Sequence, residues 1–371
     1  MTQARRLPDP ALRAKSTKFL SGHGPMEPRA WVERLSKLPE LELGLDVYSD
    51  GPAIERLEQE CAALLGKEAA LFFHKGVVAQ QVALLVHAQN TNRRVVALHP
   101  KCHLALDEYD ALDRLAGLLP RRLGSDQAPF TVSDIERVAE PLAAVTVEIP
   151  LRRAAFNATS WDDLVAISEW ARAHQVPFHL DGARIWEVQP WYGRPLTEIA
   201  ALADTVYVSF YKGLGGMGGC VLAGSKAAIA AARPWRNRYG GDLYTIFPFV
   251  ITALDGLRRH LPRMGEYFRH ATAIAGALGG VPGVTVVPRM PHGNSFQVQF
   301  AAPVEVLEEA AIAHAKATGA WLFNKFEPGA LPGTGFAEIM VGDATLGWTP
   351  AEVAAALAAL PRGAGLRAAA D

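Results

Sequence analysis

A single lysine separates an apolar segment from a glycine-rich one in the run TVYVSFYKGLGGMGGCVLAG, residues 205–224. The apolar half is rich in Val, Tyr and Phe, which predicts a buried strand, and five glycines lie within the seven residues after Lys212. A solvated turn would also accept a lysine, but the apolar strand before it argues against solvent. Burial lowers the pKa of a lysine and makes it a usable amine nucleophile at neutral pH. Because glycines let the backbone pass close to a ligand, the run predicts that Lys212 is a covalent anchor.

Three more candidates fall at the ends of predicted strands. Asp181 closes VPFHLD, Glu148 closes AVTVE, and Gly76 follows ALFFHK and opens a helix. In parallel α/β sheets, ligands collect at the carboxyl ends of the strands. Each residue also has an ordinary structural explanation, since an acid at a strand end commonly caps a helix and a lone glycine is weak evidence. His103, in HPKCHLALDE, is by itself more often a structural histidine than a catalytic one.

Taken together, these residues match the needs of pyridoxal phosphate. A lysine amine forms the Schiff base with this cofactor, and a carboxylate keeps the pyridine nitrogen protonated so that the ring accepts electrons. Lys212 and Asp181 are the candidates for these two roles. The helix that begins at Gly76 offers backbone N–H groups for the phosphate, and Ser209, three residues before the lysine, would add a hydroxyl.

Such residues need a scaffold whose strands end at one edge. From about residue 52, short apolar strands alternate with helices, as in EAALFF followed by VVAQQVALLVHAQ, which predicts an α/β fold with a mostly parallel sheet flanked by helices. After about residue 240 a long helical stretch leads into shorter elements, which predicts a smaller C-terminal α+β domain. We therefore expect an N-terminal arm and helix over residues 1–45, a large cofactor-binding domain over 46–245, and a linker helix with the small domain over 246–371.

Composition limits the classes of partner. The 371 residues carry a formal charge of -1, so neither nucleic acid nor an anionic membrane is indicated as a partner. Cys61, Cys102 and Cys220 make no disulfide framework and lack the spacing of a zinc site, which suits a reducing cytoplasm. We expect no signal peptide and no membrane span, because no uninterrupted apolar run is long enough, and we predict no bound metal.

Three segments carry a resemblance to a known family. VYSDGPAIERLEQECAALLGKEAALFFHKG, HLDGARIW and VSFYKGLGG together resemble the L-threonine aldolase and β-eliminating lyase group of fold-type I pyridoxal-phosphate enzymes. The similarity extends over about residues 44–245 and more weakly into the C-terminal domain. HxDGAR, followed about thirty residues later by the lysine of KGLG, is a specific pair of motifs. The resemblance implies a carbon–carbon lyase that binds pyridoxal 5'-phosphate and acts on a small amino acid.

The resemblance also implies roles for the residues that match these motifs. Lys212 would form the Schiff base, Asp181 would pair with the pyridinium, and His103, with Glu108 five residues after it, would stack on the ring and assist proton transfer. These three residues are the implied catalytic set. Besides these three, the implied cofactor contacts are Ser209, Gly76, Val77, Arg184 and Arg236.

Other matches concern the substrate and a second subunit. Ser21, in FLSGHGPM, lies where the family has a serine near the substrate carboxylate, and Arg184 would hold the cofactor or that carboxylate. The run WRNRYGG resembles a basic-then-glycine segment of the family, so Arg236 or Arg238 would reach the phosphate, including across a subunit interface. Family members are dimers or tetramers with shared active sites, and Tyr48 of DVYSDGP would contribute in trans.

The sequence departs from the family at three places. The usual Ser-Gly-Thr of the phosphate turn is Lys-Gly-Val at residues 75–77, so a hydroxyl donor is missing. The segment that usually carries a Thr and an Asn reads IPLRR. The C-terminal arginine that grips the substrate carboxylate aligns with Glu338, which would remove a bidentate contact, and Arg152 or Arg153 would have to replace it.

Four functions are compatible with these patterns. The first is aldol cleavage of a β-hydroxy-α-amino acid to glycine and an aldehyde. The second keeps the cofactor but expels a β-substituent, as a β-eliminating lyase. The third is a non-catalytic binding protein, against which the intact Lys212 and Asp181 argue. A dinucleotide site is the fourth, but KGLGGMGG lacks the acid about twenty residues later that would complete that fingerprint.

Overall fold

The computed structural model describes residues 9–125 and 127–360. Residues 1–8 of the predicted arm and 361–371 of the predicted C-terminal domain lie outside the described residues. In the described ranges the helices are α1 Pro10–Lys15, α2 Pro28–Leu35, α3 Pro52–Leu65, α4 Gly76–Thr91, α5 His103–Leu106, α6 Ala111–Arg114, α7 Val132–Ile135, α8 Trp161–Ala173, α9 Ile185–Tyr192, α10 Leu196–Ala201, α11 Lys226–Arg238, α12 Phe247–His260, α13 Met264–Leu278, α14 Val304–Thr318 and α15 Pro350–Ala358. The strands are β1 Lys18–Phe19, β2 Ala69–Phe73, β3 Val95–Leu98, β4 Leu119–Arg122, β5 Leu142–Glu148, β6 Phe178–Asp181, β7 Thr205–Ser209, β8 Cys220–Gly224, β9 Val284–Val287, β10 Ser295–Phe300, β11 Ala320–Trp321, β12 Glu327–Pro328 and β13 Gly335–Met340. Short 3-10 turns occupy Pro39–Leu43, Arg152–Ala154, Leu261–Arg263 and Thr345–Gly347.

A seven-stranded sheet dominates residues 26–263, which form one compact unit. Its strand order is β2-β8-β7-β6-β5-β3-β4, and β8 alone runs antiparallel to its neighbours β2 and β7. The predicted mostly parallel sheet flanked by helices is confirmed. Two of its strands, β4 and β8, were not predicted. All four residues of β4 are exposed, so it lacks an apolar pattern, and β8 follows directly on the glycine-rich loop.

Strands β5, β6 and β7 are buried along their whole length. Such continuous apolar runs are typical of parallel strands covered on both faces. In the pairing register Glu148 lies opposite Asp181, and Asp181 lies opposite Tyr207. The carboxyl ends of the three strands therefore bring these side chains to one edge of the sheet.

Local signals in the sequence explain where the helices begin and end. Helix α3 begins with Pro52 at its first position and ends at Gly66, whose φ of 62° is the left-handed conformation that glycine adopts most easily. The cap of α8 was expected at Thr159 or Ser160. Ser160 takes the position and accepts a hydrogen bond from the Asp163 N–H.

Helix α4 is embedded in the core. From Ala79 to Ala88 every residue is buried, and Ala79, Val82 and Val86 belong to an apolar cluster with residues of β2, β7 and β8. Because the helix is packed so closely, its first turn at Gly76 has a fixed position at the sheet edge. This packing places a helix N-terminus beside the ends of the strands.

Among the described residues, 9–25 and 264–360 make up the second compact unit. Within it, β12, β13, β10 and β9 form an antiparallel sheet, and β1 pairs in parallel with β11. The single long helix expected after residue 240 is two helices, α12 and α13, separated by the 3-10 turn Leu261–Arg263, which contains a proline. The domain limits expected after residues 45 and 245 stay predictions, and the contact-based division falls after residues 25 and 263.

Among the helices in the described ranges, none has the length and apolar character required to cross a membrane.

Candidate active site

The end of β5 meets the start of α5. The buried carboxylate of Glu148 accepts hydrogen bonds from the backbone N–H of His103 at 2.7 Å and of Arg152 at 3.2 Å. Burial and the neighbouring Asp181 raise the pKa of Glu148, while its N–H donors act in the opposite direction. Glu148, a strand-end candidate, therefore ties the backbone of His103 to the end of the sheet.

Asp181 lies next to Glu148 at the end of β6. Its Oδ1 accepts a hydrogen bond from the Ala183 N–H at 3.1 Å. Burial raises the pKa of Asp181, and the charges of Lys212 and His103 act against this rise. A buried carboxylate of this kind requires a cation nearby to stay ionised.

Lys212 lies three residues beyond the end of β7, in the loop that leads to β8. The loop turns tightly: the Gly215 N–H donates to the Lys212 carbonyl and the Gly216 N–H donates to the Phe210 carbonyl. Gly215 has a φ of 63°, so a residue with a side chain would be strained there. Burial and the charge of Arg184 lower the pKa of Lys212 to about 8, although three nearby carboxylates favour its protonated form. At neutral pH about a tenth of the amine is therefore neutral, far more than for an ordinary lysine.

His103 and Glu108 form a hydrogen-bonded pair. His103 Nδ1 lies 2.9 Å from Glu108 Oε1, and the side chain of Glu108 is fully buried. Burial would lower the pKa of His103, but the hydrogen bond and charge of Glu108, with the charges of Asp181 and Glu148, raise it overall. The pairing leaves His103 Nε2 as the ring nitrogen available to a ligand.

The first turn of α4 has no space for a side chain at Gly76. A Cβ atom there would overlap the hydroxyl of Tyr207 and would lie 3.0 Å from its Cζ atom. Burial raises the pKa values of Tyr207 and Tyr211, and each of the two tyrosines also shifts the pKa of the other. A small cavity opens at this point, and its lining brings together Lys75, Gly76, Val77, Gln80, His103, Glu108, Asp181, Ala183, Tyr207, Tyr211 and Lys212.

Arg184 and Glu187 add a second layer of charge around Lys212. The Arg184 guanidinium lies 5.3 Å from the centre of the Phe156 ring, and its buried Nε has no hydrogen-bond partner in the described part of the chain. Glu187 Oε1 accepts from the Gly213 N–H at 2.8 Å, while its buried Oε2 has no partner there either. Burial raises the pKa of Glu187, and the charge of Arg184 lowers it. An unpaired guanidinium N–H whose charge acts on Lys212 is suited to an anionic ligand.

Six of the residues singled out from the sequence thus line one cavity or adjoin it: Lys212, Asp181, His103, Gly76, Val77 and Arg184. The Ser209 hydroxyl donates to the Ala183 carbonyl at 3.0 Å. Its predicted contact with a phosphate stays a prediction.

Arg236 is engaged within its own chain. Its Nη1 donates to the Phe72 carbonyl at 2.9 Å, and its Nε lies 2.6 Å from Asp242 Oδ1. Arg238 lies over the ring of Trp235 at 4.6 Å. The predicted phosphate contacts of both arginines stay predictions.

Tyr48 is exposed and packs edge-to-face on Tyr244, with ring centres 5.5 Å apart. Ser21 and Glu338 belong to the other compact unit. In that unit Glu338 lies on β13 opposite Gln297 of β10. The roles predicted for Tyr48 and Ser21, and the loss of an arginine at 338, stay predictions.

Sequence reasoning missed four residues of the site: Gln80, Glu187, Tyr207 and Tyr211. Two of them carry a usable signal. Gln80 lies one helical turn after Gly76, and Tyr207 is two residues before Ser209 on a strand. Glu187 and Tyr211 gave no signal in motif or spacing.

Comparison with known proteins adds an independent line of information. The sequence model described as "Beta-eliminating lyase" matches residues 33–302. Low-specificity L-threonine aldolase 1 of Arabidopsis thaliana is 28% identical over 255 residues, which cover 66% of this chain and 71% of that protein. The low specificity L-threonine aldolase of Escherichia coli K12 is 27% identical over 254 residues, which cover 67% of this chain and 74% of that protein.

Solved structures are similar over nearly the whole chain. A crystal structure of a putative L-allo-threonine aldolase from Listeria monocytogenes EGD-E has a TM-score of 0.89 and 33% identity, with 95% of this chain and 98% of that chain covered. A structure from Leishmania major, of a threonine aldolase, has a TM-score of 0.71 at 16% identity, with 93% of this chain and 99% of that chain covered, and shows a shared fold only.

Proposed function

The chain is a member of the β-eliminating lyase family, and from this we propose that it is a pyridoxal-phosphate-dependent carbon–carbon lyase that cleaves the Cα–Cβ bond of a β-hydroxy-α-amino acid. The products are glycine and an aldehyde, as for a threonine aldolase. The fold is that of the fold-type I pyridoxal-phosphate enzymes. One observation carries the proposal: Lys212, Asp181 and the His103–Glu108 pair converge on one cavity at the N-terminus of α4.

The residues present fit this cofactor. Gly76 is a position that a side chain would obstruct, at the start of a sixteen-residue helix whose N-terminal N–H groups favour a phosphate. The lysine has a lowered pKa, and a buried carboxylate in the same cavity is suited to a ring N–H. When bound, pyridoxal phosphate supplies an electron sink for the bond that breaks.

Five residues of the chain would hold the cofactor, each by a different contact. Lys212 is the covalent anchor, because its neutral amine is present near pH 8. Asp181 holds the proton of the cofactor ring nitrogen. Gly76 and Val77 offer backbone N–H groups to the phosphate, and Lys75 brings a positive charge where the family usually has a serine.

His103 is the group that handles the substrate's hydroxyl proton. Glu108 fixes Nδ1, so Nε2 takes the proton from the β-hydroxyl as the Cα–Cβ bond opens. Arg184 has a buried Nε without a partner in the described part of the chain, and its charge lowers the pKa of Lys212, so it is the proposed partner of the substrate carboxylate.

We also propose a homodimer or homotetramer and a cytoplasmic location. Exposed apolar side chains cluster in sequence near Tyr48, including Leu45 and Val47, which supports a covered surface there. In such an assembly Tyr48 would reach the partner's site. Three free, buried cysteines support a reducing compartment.

The test is a product assay on cofactor-loaded protein. With L-threonine and L-allo-threonine, we expect glycine and acetaldehyde in equal amounts, and none from the Lys212→Ala variant. Lys226→Ala, which removes an exposed lysine at the start of α11, is the matched control and should retain activity. Pyruvate from serine in place of glycine would mean that β-elimination is the reaction, and no product with intact cofactor binding would refute both.

A further inference from the structure

Four buried side chains form a continuous hydrogen-bond chain that begins at the cavity. Gln80 Oε1 lies 2.6 Å from His179 Nε2, His179 Nδ1 lies 2.8 Å from Thr205 Oγ1, and the same hydroxyl lies 2.7 Å from His87 Nε2. The exposed fractions of the four residues are between 0 and 4%. None of them has a part in the proposed reaction, although Gln80 lines the cavity.

The fold brings these residues together by simple periodicities. Gln80 and His87 are seven residues apart on α4, so they lie on one face of the helix. His179 and Thr205 are paired neighbours on β6 and β7. His179 is two residues before Asp181 on the same strand, so both side chains point to the same side of the sheet.

The protonation of the two histidines fixes the direction of the chain. Burial lowers the pKa of His87 to about 4 and that of His179 to about 3, so each ring is neutral and carries one N–H. Because the Gln80 oxygen is an acceptor, the proton of His179 lies on Nε2. Its Nδ1 therefore accepts from the Thr205 hydroxyl.

The last bond follows from the first two. The Thr205 hydroxyl has given its hydrogen to His179, so its oxygen accepts from His87 Nε2–H. Each hydrogen bond in the chain from His87 to Gln80 is then donated in the direction of the cavity. The Gln80 oxygen is occupied, and the polar group that Gln80 offers to the cavity is its NH2.

We propose that Gln80 is a positioning residue of the cofactor site, whose side-chain NH2 is held toward the cavity by the chain His87–Thr205–His179 and donates to an anionic group there. The inference rests on the proposed function, because the anionic group is that of the bound cofactor. An amide NH2 with a fixed direction stabilises a negative charge by hydrogen bonding. Because the amide does not titrate, this stabilisation does not depend on its protonation. The Gln80 NH2 would also replace the hydroxyl donor that the phosphate turn lacks because residue 77 is a valine.

Two substitutions on α4 separate this role from general packing. Gln80→Met keeps the length of the side chain but removes both polar groups, and we expect the dissociation constant for pyridoxal phosphate to rise about tenfold, as for the loss of a hydrogen bond to a charged group. Gln81→Met is the matched control: Gln81 is equally buried, its amide has no partner in the described part of the chain, and it does not line the cavity. Its affinity should stay within about twofold of the unmodified protein.

The tautomer of His179 is a readout independent of the cofactor. In apo-protein labelled with 15N-histidine, we expect a neutral His179 ring with its proton on Nε2. The resonance is identified because Thr205→Val shifts it, whereas Thr205→Ser keeps the hydroxyl and leaves it in place. Thr146→Val is a further control, since Thr146 lies opposite His179 on β5 but its buried hydroxyl has no partner in the described ranges.

The outcomes are distinguishable. A proton on His179 Nδ1, unchanged affinity in Gln80→Met, or an equal loss in Gln81→Met would each overturn this inference alone. If the unmodified protein forms no visible absorbance band with pyridoxal phosphate, the proposed function fails and the inference fails with it. An Nε2 proton together with a loss of affinity confined to Gln80→Met supports it.

Discussion

Replacing Gly76 with alanine tests the steric fit between α4 and β7 at the cofactor turn. The new Cβ would overlap the Tyr207 hydroxyl and would lie 3.0 Å from Cζ and 3.4 Å from Cε2. The ring must retreat by roughly 1 Å to reach ordinary contact distances. Overpacking of this kind costs about 1–3 kcal/mol, and the advantage of alanine over glycine inside a helix applies only weakly at Gly76, the first residue of α4. We expect a net loss of about 1–2 kcal/mol in the free energy of unfolding.

A double-mutant cycle with Tyr207→Phe isolates this contact. Removing the hydroxyl removes the overlap and leaves only the tight contact to Cζ, so the double variant should be at least 1 kcal/mol more stable than the sum of the single changes predicts. Gly276→Ala on α13 is the control, because a Cβ there meets nothing within 4 Å and should stabilise the protein slightly. Urea unfolding of the apo-protein measures all four, and titration with pyridoxal phosphate should show weaker binding in Gly76→Ala. Additivity within about 0.5 kcal/mol would refute the steric argument.

Three further predictions concern charge. The rate at which apo-protein captures pyridoxal phosphate through Lys212 should rise with pH, with a midpoint near 8 and a plateau above it, because burial and Arg184 lower the pKa of that lysine to about 8; Arg184→Gln should move the midpoint upward, and a midpoint unchanged by that variant would contradict the assignment. NMR titration of His103 should give a pKa above its usual value, and Glu108→Gln should lower it, since burial then acts without the opposing carboxylate; a rise would contradict the pairing. Lys75→Met should weaken binding of pyridoxal phosphate but not of pyridoxal, and should reduce the salt dependence of the former, because the lysine lines the cavity at the phosphate turn; equal effects on both would exclude a phosphate contact.

The strand-end residues were predictable because they depend on one rule. Asp181 and Glu148 each close a short apolar run, and the carboxyl ends of neighbouring parallel strands share an edge. The order of β5 and β6 in the sheet was not needed for this step. Lys212 was predictable for a different reason: a lysine between an apolar strand and five glycines has few explanations other than a buried amine.

What the sequence did not reveal depends on contacts between distant segments. Gly76 must be a glycine because Tyr207 lies above it, and the two are more than a hundred residues apart. The Gln80–His179 bond joins residues 99 positions apart. A glutamine and a histidine on buried apolar elements carry no motif, and only their partners distinguish a hydrogen-bonded pair from unsatisfied core polar groups. The break between α12 and α13 could have been inferred from the proline in Leu261–Arg263.

The balance of charge around Lys212 connects cofactor capture with substrate binding. Three carboxylates, those of Asp181, Glu148 and Glu187, favour the ammonium form, yet burial and the Arg184 guanidinium prevail and lower the pKa to about 8. If the substrate carboxylate pairs with Arg184, the repulsion between the two cations weakens. The pKa of Lys212 then rises toward its ordinary value, and the amine becomes a stronger base once it is displaced. One arginine would thus raise the neutral fraction of the lysine while it awaits the cofactor and would favour its protonation after the amino acid has entered.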